Sequence, residues 1–195
     1  NRQLVHIAAD GARDFGAQVT LADFRDFPLP LFDPDEESTH GMPEPARALK
    51  RLLMDNHGFL IASPEYNGSL TGLLKNTIDW MSRSEDGDVA PLAAFRGKVV
   101  TLMSASPGAL GGLRGLVHLP EQYSTPGQAR SIHRRKIFPV PVPRAYSRGA
   151  AASGSSGYSQ PTIVLIDQVG LARSQIETAA VLFPGYSQQC KPERQ

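Results

Sequence analysis

Apolar positions fall into two alternating rhythms over the first 117 residues. Leu4, Val5, Ile7, Ala8, Ala12 and Phe15 include the i, i+3, i+4 spacings of an amphipathic helix, and Gly16 is placed to stop it. Ala17-Gln18-Val19-Thr20-Leu21 then alternates as a short strand. From Phe27-Pro28-Leu29-Pro30 to Gly41-Met42-Pro43 the chain is rich in proline and acid and reads as a long loop. A second helix is predicted over 44–56, with Ala46, Leu49, Leu52 and Leu53 on one face, followed by Gly58. The apolar run 59–63 is a strand, and a third helix spans about 71–82.

After the polar stretch Ser84 to Pro91, Lys98-Val99-Val100-Thr101-Leu102-Met103 reads as a second buried strand. It runs into the glycine-rich turn 104–112 and then a helix. Beyond that turn the signals thin out. Ile137 to Pro143 carries β-branched residues interleaved with prolines, which forbid a central strand. Ala150 to Gly157 is an Ala/Ser/Gly linker. Thr162 to Ile166 has the composition of a strand and Leu171 to Phe183 that of a helix, but neither can be placed in a topology from the sequence.

Strands that alternate with helices imply an α/β fold with a parallel sheet covered on both faces. At 195 residues there is room for one such domain with a substantial core and hardly for two. Residues 1–117 hold 11 basic and 15 acidic side chains, whereas 118–195 hold 9 and 4 together with 8 of the 16 prolines. This divides the chain into a regular domain, 1–117, and a divergent region, 118–195. The overall formal charge of +1 gives no electrostatic case for nucleic acid or an anionic membrane surface. No apolar run approaches the ~18 residues of a membrane span, and no signal-peptide pattern opens the chain, so a cytoplasmic setting is expected. Cys190 is alone, and the histidines (6, 40, 57, 118 and 133) have no ligand spacing, so no metal site is expected. There is no Gly-x-Ser-x-Gly elbow for a serine hydrolase.

The candidate chemistry lies in the two loops that follow the buried strands. Ser63-Pro64-Glu65-Tyr66-Asn67-Gly68-Ser69 combines a rigid turn, a flat ring and several hydrogen-bonding groups, a mixture suited to a planar heteroaromatic ligand. The competing explanation is a proline-started turn that caps the next helix through Ser69 or Thr71. The second loop, Ser104 to Gly112, lacks both the Gly-Lys-Ser/Thr ending of a P-loop and the spacing of a dinucleotide fingerprint. Its glycines suit close approach of backbone N–H groups to a ligand. In an open α/β sheet, neighbouring loops at the carboxyl ends of strands form one binding crevice.

The run Ser63 to Ser69, followed by Gly72-x-Leu74-Lys75-Asn76-x-x-Asp79-Trp80, resembles the signature of the NADPH-dependent FMN reductases, a flavodoxin-like family that includes quinone, azo-dye and chromate reductases. Asp23 to Pro30 and Gly97 to Arg114 fit the same pattern. The resemblance implies a five-stranded parallel sheet in the order 2-1-3-4-5, with FMN at the switch point. It also implies that Pro64, Glu65, Tyr66, Asn67, Gly68 and Ser69 line the isoalloxazine, while Ser104, Gly108, Gly111 and Gly112 close the other side. Asn1 matches the last residue of the family's phosphate loop, so the first, central strand is missing from the pattern and weak FMN binding is expected. The implied activity takes electrons from NADPH or NADH to FMN and on to a small-molecule acceptor, with no catalytic side chain required. A homodimer or homotetramer is implied, with the third helix at the interface. Two alternatives are an electron carrier, for which the near-neutral charge lacks the usual acidic face, and an inactive remnant of the reductase.

Overall fold

The computed structural model describes residues 1–14, 16–88, 90–106, 110–122, 135–141 and 162–167. In chain order these form α1 (Arg2–Asp14), β1 (Gln18–Asp23), a 3-10 turn (Phe24–Asp26), α2 (Pro34–His40), α3 (Glu44–Met54), β2 (Gly58–Ala62), α4 (Gly72–Met81), β3 (Val99–Ser106), α5 (Leu113–Gln122), β4 (Arg135–Pro141) and β5 (Thr162–Asp167). The helix predicted over Leu171 to Phe183 lies outside the described residues.

The strands make one sheet in the order β1-β5-β2-β3-β4. β2 and β3 pair in parallel from Gly58 opposite Val99 to Ala62 opposite Met103, and β3 pairs in parallel with β4. β5 runs antiparallel to both its neighbours, with Thr162 opposite Asp23 on one side and Ala62 on the other. β1, β2, β3 and β4 therefore all point one way and β5 points back. The place that the resemblance gives to its first strand is thus taken by a strand from the C-terminal third. The ladders of β1 and β2 are satisfied from that side, and the sheet is mixed there rather than wholly parallel.

β4 is an edge strand, and its composition explains why. Pro139 and Pro141 lack an N–H, and a strand paired on one side only tolerates that loss at alternate positions. The interleaved prolines rule out a central strand, as the sequence implies, but an edge strand remains open to them.

Side chains alternate between two apolar layers, as strand geometry demands. On one face Leu60, Ala62, Val99 and Met103 pack against Val5, Ala8, Ala9 and Ala12 of α1. On the other, Phe59, Ile61, Val100 and Leu102 meet Ala46, Leu49 and Leu53 of α3, Leu74, Ile78 and Met81 of α4, and Leu116 of α5. All five residues of β2 are buried, which accounts for its continuous apolar run.

Two features depart from the sequence pattern. The proline- and acid-rich stretch contains α2, which Asp33 caps by accepting from the Asp35 N–H at 2.8 Å. Pro34 and three acidic residues in the first turn are all helix-start signals, but the helix buries no residue and shows no apolar stripe. On α3, Lys50 is 2% exposed while Leu52 is only half-buried. The Lys50 Nζ donates to the Arg83 carbonyl at 2.8 Å and to Asp88 Oδ2 at 2.6 Å, so the turn after α4 supplies the acceptors a buried ammonium requires. Asp88 also accepts the Glu85 N–H, and burial, which raises a carboxyl, is outweighed there by these bonds, so its pKa is lowered.

The antiparallel central strand gives a direct test. Leu165→Pro removes a donor from a strand paired on both sides and is expected to abolish the cooperative thermal transition. Ile137→Pro, placed on the edge strand in phase with Pro139 and Pro141, is expected to lower the midpoint only by a few degrees. Circular dichroism melts of the two variants compare them.

Candidate functional site

Because β1, β2 and β3 point the same way, the loops after β2 and β3 leave from one edge of the sheet. The pairing continues past the end of β2, where the Ser63 N–H donates to the Met103 carbonyl at 3.0 Å. Ser63 and Pro64 are buried, which fixes the root of the first loop.

The loop then closes on itself. Tyr66 and Ser69 exchange backbone hydrogen bonds of 2.9 Å in both directions. Between them Asn67 has φ +51° and Gly68 φ +79°. Positive φ at both central residues is the demand of a type I′ turn, and Asn-Gly is the pair that meets it at least strain. Thr71 caps α4 by accepting from the Leu74 N–H at 3.1 Å, so the capping explanation of this segment holds for Thr71. Tyr66 is half-buried and Asn67 is exposed at the tip.

Glu65 turns its side chain to the start of α5, whose Arg114 guanidinium also lies beside Gly68 of the turn. The Glu65 side chain is 7% exposed and accepts four bonds from the first turn of α5. These come from the Arg114 N–H at 3.1 Å, Arg114 Nε at 2.8 Å, Arg114 Nη2 at 2.6 Å and the Gly115 N–H at 3.4 Å. Burial works to raise this carboxyl, but Arg114 and the Gly115 N–H outweigh it and lower its pKa. Ser69 Oγ lies 2.9 Å from His118 Nδ1, a second tie to the same helix. A Cβ on Gly115 would sit 3.0 Å from the Ser69 carbonyl oxygen, so α5 can approach the loop this closely only with glycine there.

At the end of the second loop Gly112 lies against Ser104 of β3. Gly111 and Gly112 have φ +57° and +91°, and a Cβ on Gly112 would fall 1.9 Å from Ser104 Oγ. Ser104 is 1% exposed, and its hydroxyl has no hydrogen-bond partner among the described residues. Gly108 lies outside the described residues.

α1 brings its first turn to the same rim. The Asn1 side chain clamps Ala105 in both directions, donating from Nδ2 to its carbonyl at 3.2 Å and accepting its N–H at 2.8 Å. Arg2 Nη2 reaches Asp23 Oδ2 at the end of β1, 3.1 Å away. Asp23 also holds the Nε and Nη2 of Arg25 and caps the 3-10 turn by accepting the Arg25 N–H. The Arg25 bonds above all, with Arg2 assisting, lower the Asp23 carboxyl to about 2 against the opposing effect of burial.

The structure therefore gathers Pro64 to Ser69, Ser104, Gly111, Gly112 and Asn1 at one edge, where the Glu65 side chain is taken up by the start of α5. Sequence reasoning missed Arg114, Gly115 and His118 as partners of the first loop, and the Arg2–Asp23–Arg25 cluster. The spacing of Arg114 and His118, i and i+4 on a helix that opens directly after the glycine turn, was the one available signal. Among the described residues no group of three or more histidine, cysteine or acidic side chains could hold a metal ion. No described helix is long and apolar enough to cross a membrane.

Residues 1–134 match the family model described as NADPH-dependent FMN reductase. The quinone reductase of Escherichia coli K12 is 38% identical over 111 residues, which are 57% of this chain and 53% of that protein. A 2-hydroxy-1,4-benzoquinone reductase of a Burkholderia species is 40% identical over 121 residues, 61% of this chain and 60% of that one. The chain spans little more than half the length of these curated relatives. Among solved structures, the FerB flavoenzyme of Paracoccus denitrificans, an NAD(P)H:(acceptor) oxidoreductase, aligns with TM-score 0.43 at 24% identity, covering 59% of this chain and 56% of that one.

The Asp23 cluster predicts an acid dependence of stability. A carboxyl lowered in the folded state stabilises above its unfolded pKa, so this contribution is complete above pH 3.8 and is lost as the pH falls towards about 2. Asp23→Asn is expected to unfold at lower urea concentration than the parent at pH 7, with the two midpoints converging towards pH 2.

Proposed function

The chain belongs to the NADPH-dependent FMN reductase family, and from that membership we propose that it binds FMN at the rim of the sheet and transfers electrons from NAD(P)H to a quinone or similar small acceptor. The observation that carries the reading is the arrangement of the two loops. They leave adjacent parallel strands at one edge, where Asn1, at the start of α1, is clamped to Ala105 near the end of β3.

The residues present suit a flavin. Asn67 and Gly68 offer a tight turn with an exposed polar tip for the heteroatom edge of a flat ring. Half-buried Tyr66 supplies aromatic surface beside it. The glycine conformations at 111 and 112 bring bare backbone to the other side, beside the Ser104 hydroxyl, which has no partner among the described residues. Asn1 and the N-terminal turn of α1 would hold the phosphate, where helix N–H groups and the macrodipole favour negative charge. Pro64, Glu65, Ser69 and Gly108 complete the proposed set, Glu65 through its backbone.

When bound, FMN supplies two-electron chemistry between a nicotinamide and the acceptor. The protein's part is to fix the ring's orientation and to donate hydrogen bonds to it; no side chain here is assigned as acid or base. Members of this class commonly complete the flavin site across subunits, so a homodimer or homotetramer is part of the proposal, as is a cytoplasmic setting. The electron-carrier alternative requires a protein donor in place of NADPH.

Anaerobic mixing of FMN-loaded protein with NADPH is expected to bleach the visible flavin band without any partner protein. A band that persists would refute the reductase reading. Gly112→Ala forces a methyl group onto Ser104 and a strained φ, costing roughly 1–3 kcal/mol. It is expected to lower the melting midpoint and weaken flavin binding by at least tenfold in a fluorescence titration.

A further inference from the structure

We propose that Glu65 is a positioning residue, whose carboxylate clamps the Asn67-Gly68 turn to the start of α5 and thereby sets the spacing of the two loops that hold the flavin ring. The proposal rests on the flavin reading above and deepens it. Glu65 sits one residue before the turn, in the middle of the ligand loop, yet every bond its carboxylate makes among the described residues goes to Arg114 or Gly115.

Those partners matter because of where they lie. Arg114 and Gly115 begin the helix that the second loop feeds, two residues after Gly112, which is pressed against Ser104. Glu65 thus ties one wall of the proposed site to the start of the helix that follows the other. A buried carboxylate that accepts two helix N–H groups acts as a cap supplied from a distant part of the chain. The exposed guanidinium, 61% accessible, covers it with two charge-assisted hydrogen bonds, both to Oε1, while Oε2 accepts the two backbone N–H groups. Ser69 to His118 and the close contact of Gly115 with the Ser69 carbonyl fix the far side of the turn to the same helix. Held at residues 65 and 69, the turn cannot move relative to α5 without breaking charged bonds.

An ordinary helix cap would stabilise the fold and leave ligand affinity untouched. A positioning clamp makes a different prediction. Glu65→Gln keeps one acceptor oxygen but turns an amide NH2 against donors on Arg114 and Gly115, releasing the turn. Because the effect lies at the ring, the dissociation constants of riboflavin and of FMN, titrated by fluorescence, are expected to rise by the same factor, roughly tenfold. The visible band of the bound flavin is expected to move towards that of free flavin. Arg114→Lys, which keeps the backbone bonds and loses the fork, is expected to give a smaller loss of the same kind, and it carries the test if Glu65→Gln fails to fold.

Unchanged affinity for both ligands, with only a lower melting midpoint, would overturn the proposal and leave a plain cap. A loss confined to FMN would also overturn it, since the effect would then lie at the phosphate. A parent protein that binds neither flavin refutes the underlying site reading and the proposal with it, a result distinguishable because it appears before any substitution is made.

Discussion

Two parallel strands held one strand's width apart need a third backbone between them, and the sheet depends on that requirement being met. β1 and β2 each present a row of N–H and C=O groups to the gap, and leaving them buried and unpaired would cost more than most domains have in net stability. β5 satisfies both rows at once, from Thr162 at the rim to Asp167 at the opposite end. Its antiparallel direction is compatible with the ladders on both sides, because hydrogen bonding in a sheet is met by either orientation. The two strands it joins also hold α1 on one face, so the first turn of that helix can reach the ends of both β1 and β3.

With the common direction of β1, β2 and β3 fixed, the chemistry collects at one edge. Three loop beginnings converge there, and short polar bonds tie them: Asn1 to Ala105, Arg2 to Asp23, Glu65 to Arg114 and Gly115. These are interactions between segments far apart in sequence: two join the start of α1 to the ends of β3 and β1, and the third joins the first loop to the start of α5, where backbone donors are otherwise unused. The first loop is anchored at Ser63, Glu65 and Ser69. Preorganisation of that kind is what orients a flat cofactor without spending binding energy on ordering the protein.

The charged interior follows the same logic. Lys50 lies on the buried face of α3 because the turn after α4 supplies a carbonyl and a carboxylate to it. Asn76 and Trp80 on α4 are likewise buried with their polar atoms used: both donate to the Pro30 carbonyl, and Asn76 accepts the Phe32 N–H. The segment ahead of α2 is therefore held at Pro30 and Phe32 by helix side chains, and Phe32 packs edge-on to Trp80 at 5.1 Å.

Much of this was readable along the chain. The periodicity of Val5, Ala8 and Ala12, the apolar block at 59–62 and the Asn-Gly pair each encode their conformation locally, through side-chain direction and permitted φ. So does the exclusion of Ile137 to Pro141 from the sheet's centre, since a missing N–H is a property of the residue itself. The family signature added which loops to combine. What the residues could not disclose was pairing over distance. A short apolar run such as Ile163 to Ile166 has no polar side to orient it, so neither its neighbours nor its direction is written in its pattern. Nor does Glu65 carry any mark that its carboxylate would turn to a helix 49 residues on. Local conformation follows from each residue's own stereochemistry; strand order, the burial of Lys50 and the tie between the two loops depend on partners that only the folded chain brings into reach.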